Sequence, residues 1–162
     1  MKTPSAAPGP PPEQSLPTAL VVDVANVMGS RPDGWWRDRA AAASRLVGEV
    51  AALQGRSVDY PGGAPIQVVR LVAVVEGKAR GIPEVAGVEL RRASGNGDDA
   101  VFAACVDLLA AGARPLAVTA DRQLRGRLPT GTVIAGPGWL LRLLTPSPPM
   151  EPEPEPEPEP TE

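Results

Sequence analysis

The chain has 162 residues, a formal net charge of −3, one cysteine and no histidine. The absence of histidine excludes Ser-His-Asp and Cys-His nucleophiles and His-containing zinc sites, so carboxylates with metal ions are the expected catalysts. With Cys105 alone the chain cannot form an intrachain disulfide, and no apolar run is long enough for a signal peptide or a membrane span. We therefore expect a cytoplasmic protein without a membrane partner.

Composition divides the chain into one domain and two tails. Residues 1–17 are rich in Pro and Ala, and residues 145–162 form a Glu-Pro tail; both lack apolar side chains to bury, so we expect them to be disordered. The tail carries six Glu, and without them the net charge of −3 becomes +3. The domain predicted over residues 18–144 is therefore mildly basic, which permits a polyanionic partner.

Apolar runs and turn residues predict strands that alternate with helices. In chain order we expect a strand at 18–24, a loop, a helix at 35–54, strands at 66–75 and 88–91, a helix at 100–111, a strand at 116–119, a helix at 121–127, a strand at 132–135 and a helix at 139–144. This order predicts an α/β fold, a three-layer α/β/α sandwich around a mostly parallel sheet. Parallel strands end at one edge, where ligands bind in such sheets.

Acidic residues follow four of the predicted strands. The candidates are Asp23 with Asn26 three residues on, Glu76, Asp98 and Asp99, and Asp121. Each has an ordinary structural explanation, such as a helix N-cap or a charge that favours the helix dipole. Like charges gathered at one edge repel unless a cation is present, so their convergence predicts a metal site.

An all-oxygen set without His or paired Cys suits Mg²⁺ or Mn²⁺, and no organic cofactor is expected. Metals of this kind support hydrolysis of phosphodiesters, because they activate water and neutralise phosphoryl oxygens. In that chemistry Asn26 orients Asp23, the attacking water or a phosphate oxygen. A divalent-metal hydrolase is the prediction.

These residues, in their order, resemble the PIN-like superfamily and most closely its NYN branch. The resemblance rests on Asp23-x-x-Asn26 after the first strand, an acidic residue after the second, Gly97-Asp98-Asp99 opening a helix, and Thr119-Ala120-Asp121-Arg122 after a late strand. It implies a PIN-like fold over residues 18–144 and a metal-dependent ribonuclease with RNA as its partner. The implied acidic cluster is Asp23, Glu76, Asp98 or Asp99, and Asp121, with Asp98 preferred. Glu76 stands where the family often has Asp.

Basic residues lie close to the predicted site. We expect phosphate contacts from the loop at 29–39, through Arg31, Arg37 and Arg39, and from Arg122 on the short helix that Asp121 opens. Of these, Arg31 is the strongest candidate. Trp35 and Trp36 either offer a stacking surface to a base or pack the first helix onto the sheet.

Two other functions use the same acidic edge. A nucleotide pyrophosphohydrolase would hold the phosphates of a nucleoside triphosphate through the metal, in a pocket expected to be closed. A non-catalytic NYN-type module would keep the fold and bind nucleic acid without cleaving it. The sequence gives no support for a homo-oligomer.

Overall fold

The elements of the chain follow the predicted alternation of strands and helices. We describe a computed structural model, and the structure describes residues 15–145. The predictions of disorder for 1–17 and 145–162 fall mostly on residues outside that range, but the prediction was wrong for Leu16 and Pro17, which begin β1 and pair with β3. The elements are β1 (Leu16–Asp23), α1 (Val24–Gly29), α2 (Arg39–Ala51), β2 (Ser57–Val58), β3 (Ile66–Val75), β4 (Glu89–Arg92), α3 (Gly97–Ala110), β5 (Pro115–Val118), α4 (Arg122–Arg127), β6 (Val133–Ala135) and α5 (Pro137–Leu144).

The sheet is parallel apart from one short strand. β1 lies in the centre, with β3 on one side and β5 and then β6 on the other. β4 runs parallel to the C-terminal part of β3. The two-residue β2 pairs antiparallel with the first residues of β3. The carboxyl ends of β1, β3, β4, β5 and β6 therefore meet at one edge, as the predicted crossovers require.

Apolar side chains cover both faces of the sheet. In β1, Ala19 and Val21 pack on one face with α3 and α4, while Leu20 and Val22 pack on the other with α1, α2 and α5. This alternation explains why the strand is apolar at almost every position, since a central parallel strand is buried on both faces. The predicted three-layer α/β/α sandwich is confirmed. Among the described residues, no helix is both long and apolar enough to cross a membrane.

Three local features differ from the predictions. α1 replaces the predicted loop, and it forms because Asp23 caps it and because Val24, Val27 and Met28 are buried. The predicted helix at 35–54 is shorter: a 3-10 turn at Trp35–Arg37 comes first, and Asp38 then caps α2 through the backbone N–H of Ala41. β2 was not predicted, because two residues carry no periodicity.

Candidate active site at the carboxyl edge of the sheet

Asp23 is the most buried acidic residue of the edge. Asp23 is only 6% exposed, and it ends a strand in which the four residues before it, Ala19 to Val22, are apolar and buried. Oδ2 accepts a hydrogen bond of 3.0 Å from Thr119 Oγ1, and Oδ1 accepts one of 3.4 Å from the backbone N–H of Asn26. Burial, together with the smaller effect of the charges of Asp98 and Glu76, raises the pKa of Asp23 to about 6, against the opposing effect of these two hydrogen bonds.

A hydrogen-bond network joins α1 to the loop after β5. Asn26 Oδ1 accepts from the backbone N–H of Ala120 at 2.8 Å, and Thr119 Oγ1 accepts from the backbone N–H of Asp121 at 3.1 Å. Asp121 Oδ1 in turn accepts from Gln123 and Leu124, so it caps α4 as predicted. Since its Oδ1 is held by the main chain, the amide NH₂ is the part of the Asn26 side chain left to donate to a ligand.

Glu76 reaches the start of α3 because residue 97 is glycine. Its carboxylate accepts a hydrogen bond from the backbone N–H of Gly97. A Cβ atom at position 97 would collide with Glu76 Oε2 and would lie 2.9 Å from Cδ. The contact therefore requires the bare backbone of Gly97, which fixes Glu76 at the site.

Asp98 is the member of the Asp98-Asp99 pair that faces the other carboxylates. The helix cap is Asn96, whose Oδ1 accepts from the backbone N–H of Asp98 at 2.9 Å, so the suggested capping role of Asp98 was wrong. Partial burial raises the pKa of Asp98, and the nearby charges of Asp121 and Glu76 raise it further. Asp98, Glu76 and Asp121 line the same space.

That space is a shallow, open cavity of about 250 Å³. Its lining consists of Asp23, Ala25, Asn26, Glu76, Asp98 and Asp121. Acidic residues from four strand ends thus converge, together with the predicted Asn26. An all-oxygen lining fits a hard divalent cation. Within the described residues, no group of three or more acidic or cysteine side chains is already arranged to hold a metal ion, so binding would require some of these side chains to turn.

Two predicted site residues point elsewhere. Asp99 pairs with Arg127 at 2.9 Å and lines a different cavity, so it is not part of the acidic one. Arg31 donates to both carboxylate oxygens of Glu49, at 3.0 and 2.6 Å. Its charge is thus already balanced on α2, which corrects its assignment as the strongest phosphate contact.

Two further predicted cations lie on the surface. Arg37 is exposed, with its guanidinium 5.9 Å from the ring centre of Trp36, and Arg122 is exposed directly after Asp121. Sequence reasoning missed the roles of Thr119 and Gly97. Both belong to the motifs named above: Thr119 directly follows β5, and Gly97 directly precedes Asp98 at the start of α3.

Comparisons with known proteins bear on the fold. No family model matches the chain, and no curated protein matches it either. Among solved structures, Rae1 (YacP) from Bacillus subtilis is similar with a TM-score of 0.58 and 19% identity, over 78% of this chain and 72% of that one. The W164L mutant of Rae1 gives a TM-score of 0.54 and 18% identity, over 78% and 74% of the two chains. Because identity is this low, the likeness establishes the fold alone: the chain has a PIN-like α/β/α fold.

Proposed function

We propose that this protein is a metal-dependent ribonuclease that hydrolyses phosphodiester bonds at the acidic cavity. The observation that carries the proposal is the convergence of Asp23, Glu76, Asp98 and Asp121 from four strand ends onto one open space. Burial and mutual repulsion raise the pKa of Asp23 and of Asp98, so the ionised cluster is unfavourable unless a cation joins it. The PIN-like fold also supports a nuclease function.

Asp23, Glu76, Asp98 and Asp121 are the residues that would hold Mg²⁺ or Mn²⁺. When bound, such a cation lowers the pKa of water and neutralises charge on a phosphoryl oxygen. Asp23 is kept rigid by Thr119 and by the start of α1, so its position does not depend on the substrate. The amide NH₂ of Asn26 is placed to donate to a phosphate oxygen or to orient the attacking water.

Cations around the cavity support a polyanionic substrate. The described residues carry a net charge of +3, although the site itself is acidic. Arg37 and Arg122 are exposed, Arg122 directly beside Asp121, and neither has an acidic partner within the described residues. They would contact phosphates on either side of the reacting one, which positions a strand without reading its sequence. We place this activity in the reducing cytoplasm expected from the single cysteine.

The test uses the full chain and an end-labelled single-stranded RNA, incubated with Mn²⁺, with Mg²⁺ and with EDTA. We expect metal-dependent cleavage, reduced roughly a hundredfold or more in Asp23→Asn, since single electrostatic groups in active sites often contribute that much. Asp59→Asn, at an exposed position outside the cavity, is the matched control.

A parallel reaction with nucleoside triphosphates separates the rival enzyme. Release of pyrophosphate or phosphate from triphosphates, without RNA cleavage, would replace the ribonuclease by a pyrophosphohydrolase. RNA binding without turnover of either substrate would leave a non-catalytic module.

A further inference from the structure

A second cavity adjoins the acidic one and has a different chemistry. It has a volume of about 350 Å³ and shares Ala25 and Glu76 with the acidic cavity, so the two lie side by side. Its other lining side chains include Met28, Trp35, Arg39, Lys78 and Ala79. Pockets for small organic groups begin at about 300 Å³, so this space suits one nucleotide rather than a large ligand.

The walls of this cavity are flat and mostly apolar. Trp35 is half-buried and packs against the core, and the Arg39 guanidinium lies over its ring, 5.4 Å from the centre. Met28 and Ala79, each 5% exposed, add apolar surface. Aromatic rings and guanidinium planes are surfaces on which proteins stack single-stranded bases.

Two cations stand at this cavity without acidic partners among residues 15–145. Lys78 lies in the 3-10 turn Gly77–Gly81, directly after β3, and Arg39 begins α2. Both are exposed, and neither forms an ion pair within residues 15–145, in contrast to Arg31. An apolar stacking wall with free cations at its rim complements a base attached to a phosphate.

We infer that this cavity holds the base of an unpaired nucleotide next to the phosphodiester that is cleaved. The inference rests on the proposed function and adds a substrate class to it. A base inside a duplex is stacked and paired, so it reaches such a pocket only after leaving the helix. The substrate is therefore single-stranded at the cleavage point, with Trp35 and Arg39 holding the base and Lys78 contacting its phosphate.

The experiment measures binding rather than turnover. A labelled ten-nucleotide RNA is titrated by fluorescence anisotropy against the full chain carrying Asp23→Asn, which removes cleavage. A series of such strands carries one abasic nucleotide at successive positions. Loss of one stacked base costs about 1–3 kcal/mol, so we expect one position in the series to bind roughly 5- to 150-fold more weakly than the intact strand.

Variants of the cavity identify where that base binds. Trp35→Leu should weaken binding of the intact strand by about as much as the loss of the stacked base does. In this variant, the affinity should no longer depend on where the abasic nucleotide stands. Trp36→Leu is the matched control, because Trp36 is 56% exposed and does not line the cavity, and it should keep that dependence. Lys78→Gln changes only a surface side chain, so it tests the site even if Trp35→Leu folds poorly; it should weaken binding and reduce the salt dependence.

Three results would overturn the inference. The first is that Trp35→Leu keeps the dependence of binding on the abasic position and Lys78→Gln binds as the parent does. The second is that a duplex of the same sequence binds as tightly as the single strand. The third is that the protein binds free nucleoside triphosphates in place of RNA. If the wild-type chain still cleaves RNA with metal, the first two remove the base site and leave the ribonuclease standing. If the wild-type chain neither binds nor cleaves RNA, the proposed function itself fails.

Discussion

Thr119 Oγ1 donates a hydrogen bond of 3.0 Å to Asp23 Oδ2 and accepts one of 3.1 Å from the backbone N–H of Asp121. The register of the sheet explains this contact. Val22 pairs with Val118 across the parallel strands β1 and β5, so the residues that follow lie side by side. One uncharged hydroxyl thus supports Asp23 and positions Asp121, without adding a cation that would compete with a metal ion. Even so, ionisation of Asp23 remains costly, because its pKa is about 6.

The first prediction concerns the stability of Asp23→Asn without metal. Between pH 3.8 and about 6, the folded chain keeps a proton on Asp23 that the unfolded chain has lost. The wild-type free energy of unfolding therefore falls as pH rises through this window, and it stays low above it. An uncharged Asn also caps helices well, so the variant avoids this loss. We expect the difference in the free energy of unfolding between Asp23→Asn and wild type to grow, in favour of the variant, by about 1–3 kcal/mol as the pH rises from 4 to 8.

Urea denaturation in EDTA at pH 4, 5, 6, 7 and 8 measures this effect. Asp59→Asn is the matched control and should show no comparable gain. A difference between wild type and Asp23→Asn that stays constant from pH 4 to pH 8 would contradict the account of Asp23 as a carboxylate destabilised by burial.

The second prediction separates Asp98 from its neighbour Asp99. Asp98 lines the acidic cavity, whereas Asp99 pairs with Arg127 at an exposed site. A ligand that binds only the folded state raises stability by about 2.7 kcal/mol at one hundred times its Kd, so Mn²⁺ should raise the Tm of the wild type. Asp98→Asn should lose most of this rise, while Asp99→Asn should keep it.

Differential scanning fluorimetry at pH 7.5, with a Mn²⁺ titration, compares the two variants. The Asp99 substitution removes a surface ion pair worth about 0–1 kcal/mol, so its metal-free Tm should change little. Equal loss of the Mn²⁺ effect in both variants would mean that the response is one of general negative charge rather than of a site at Asp98.

The carboxyl edge of the sheet could be predicted because the apolar runs of its strands allow few other interpretations. The strand at 66–75 was predicted at the bounds of β3, since a ten-residue run rich in Val has no other stable environment than a buried strand. Right-handed crossovers then determine which ends of the strands meet. The convergence of Asp23, Glu76 and Asp121 follows from that topology.

The contacts that were not predicted depend largely on which residue pairs with which in the folded chain. Arg31 finds Glu49, eighteen residues later on α2, and nothing in the loop indicates that pairing. The choice between Asp98 and Asp99 depends on which residue caps α3, and Asn96, Asp98 and Asp99 are all acceptable caps by residue type. α1 was missed because the interaction that starts it comes from Asp23, which the motif assigned to the site.

The third prediction concerns the single cysteine. Cys105 is fully buried between α3 and the sheet, and burial raises the pKa of its thiol to about 11. The thiolate is the reactive form, so the folded chain should not react with a thiol reagent at pH 8 over minutes. In urea above the unfolding midpoint, the same chain should react with one equivalent. Rapid labelling of the folded protein would show that α3 opens readily, which the packing of Cys105 does not allow.

The fourth prediction tests Glu76 through Gly97. In Gly97→Ala, the new methyl group takes the space of the Glu76 carboxylate, which must turn away and lose its hydrogen bond to the main chain. That bond contributes about 0.5–1.5 kcal/mol, and Ala favours the helix by about 1 kcal/mol over Gly, so the free energy of unfolding should change little. The Tm rise given by Mn²⁺ should nevertheless shrink. Gly126→Ala is the matched control, because a Cβ there meets no atom within 4 Å. If the Mn²⁺ response survives Gly97→Ala and is also unchanged in Glu76→Gln, then Glu76 serves only to anchor α3 and the cation is held by the three aspartates alone.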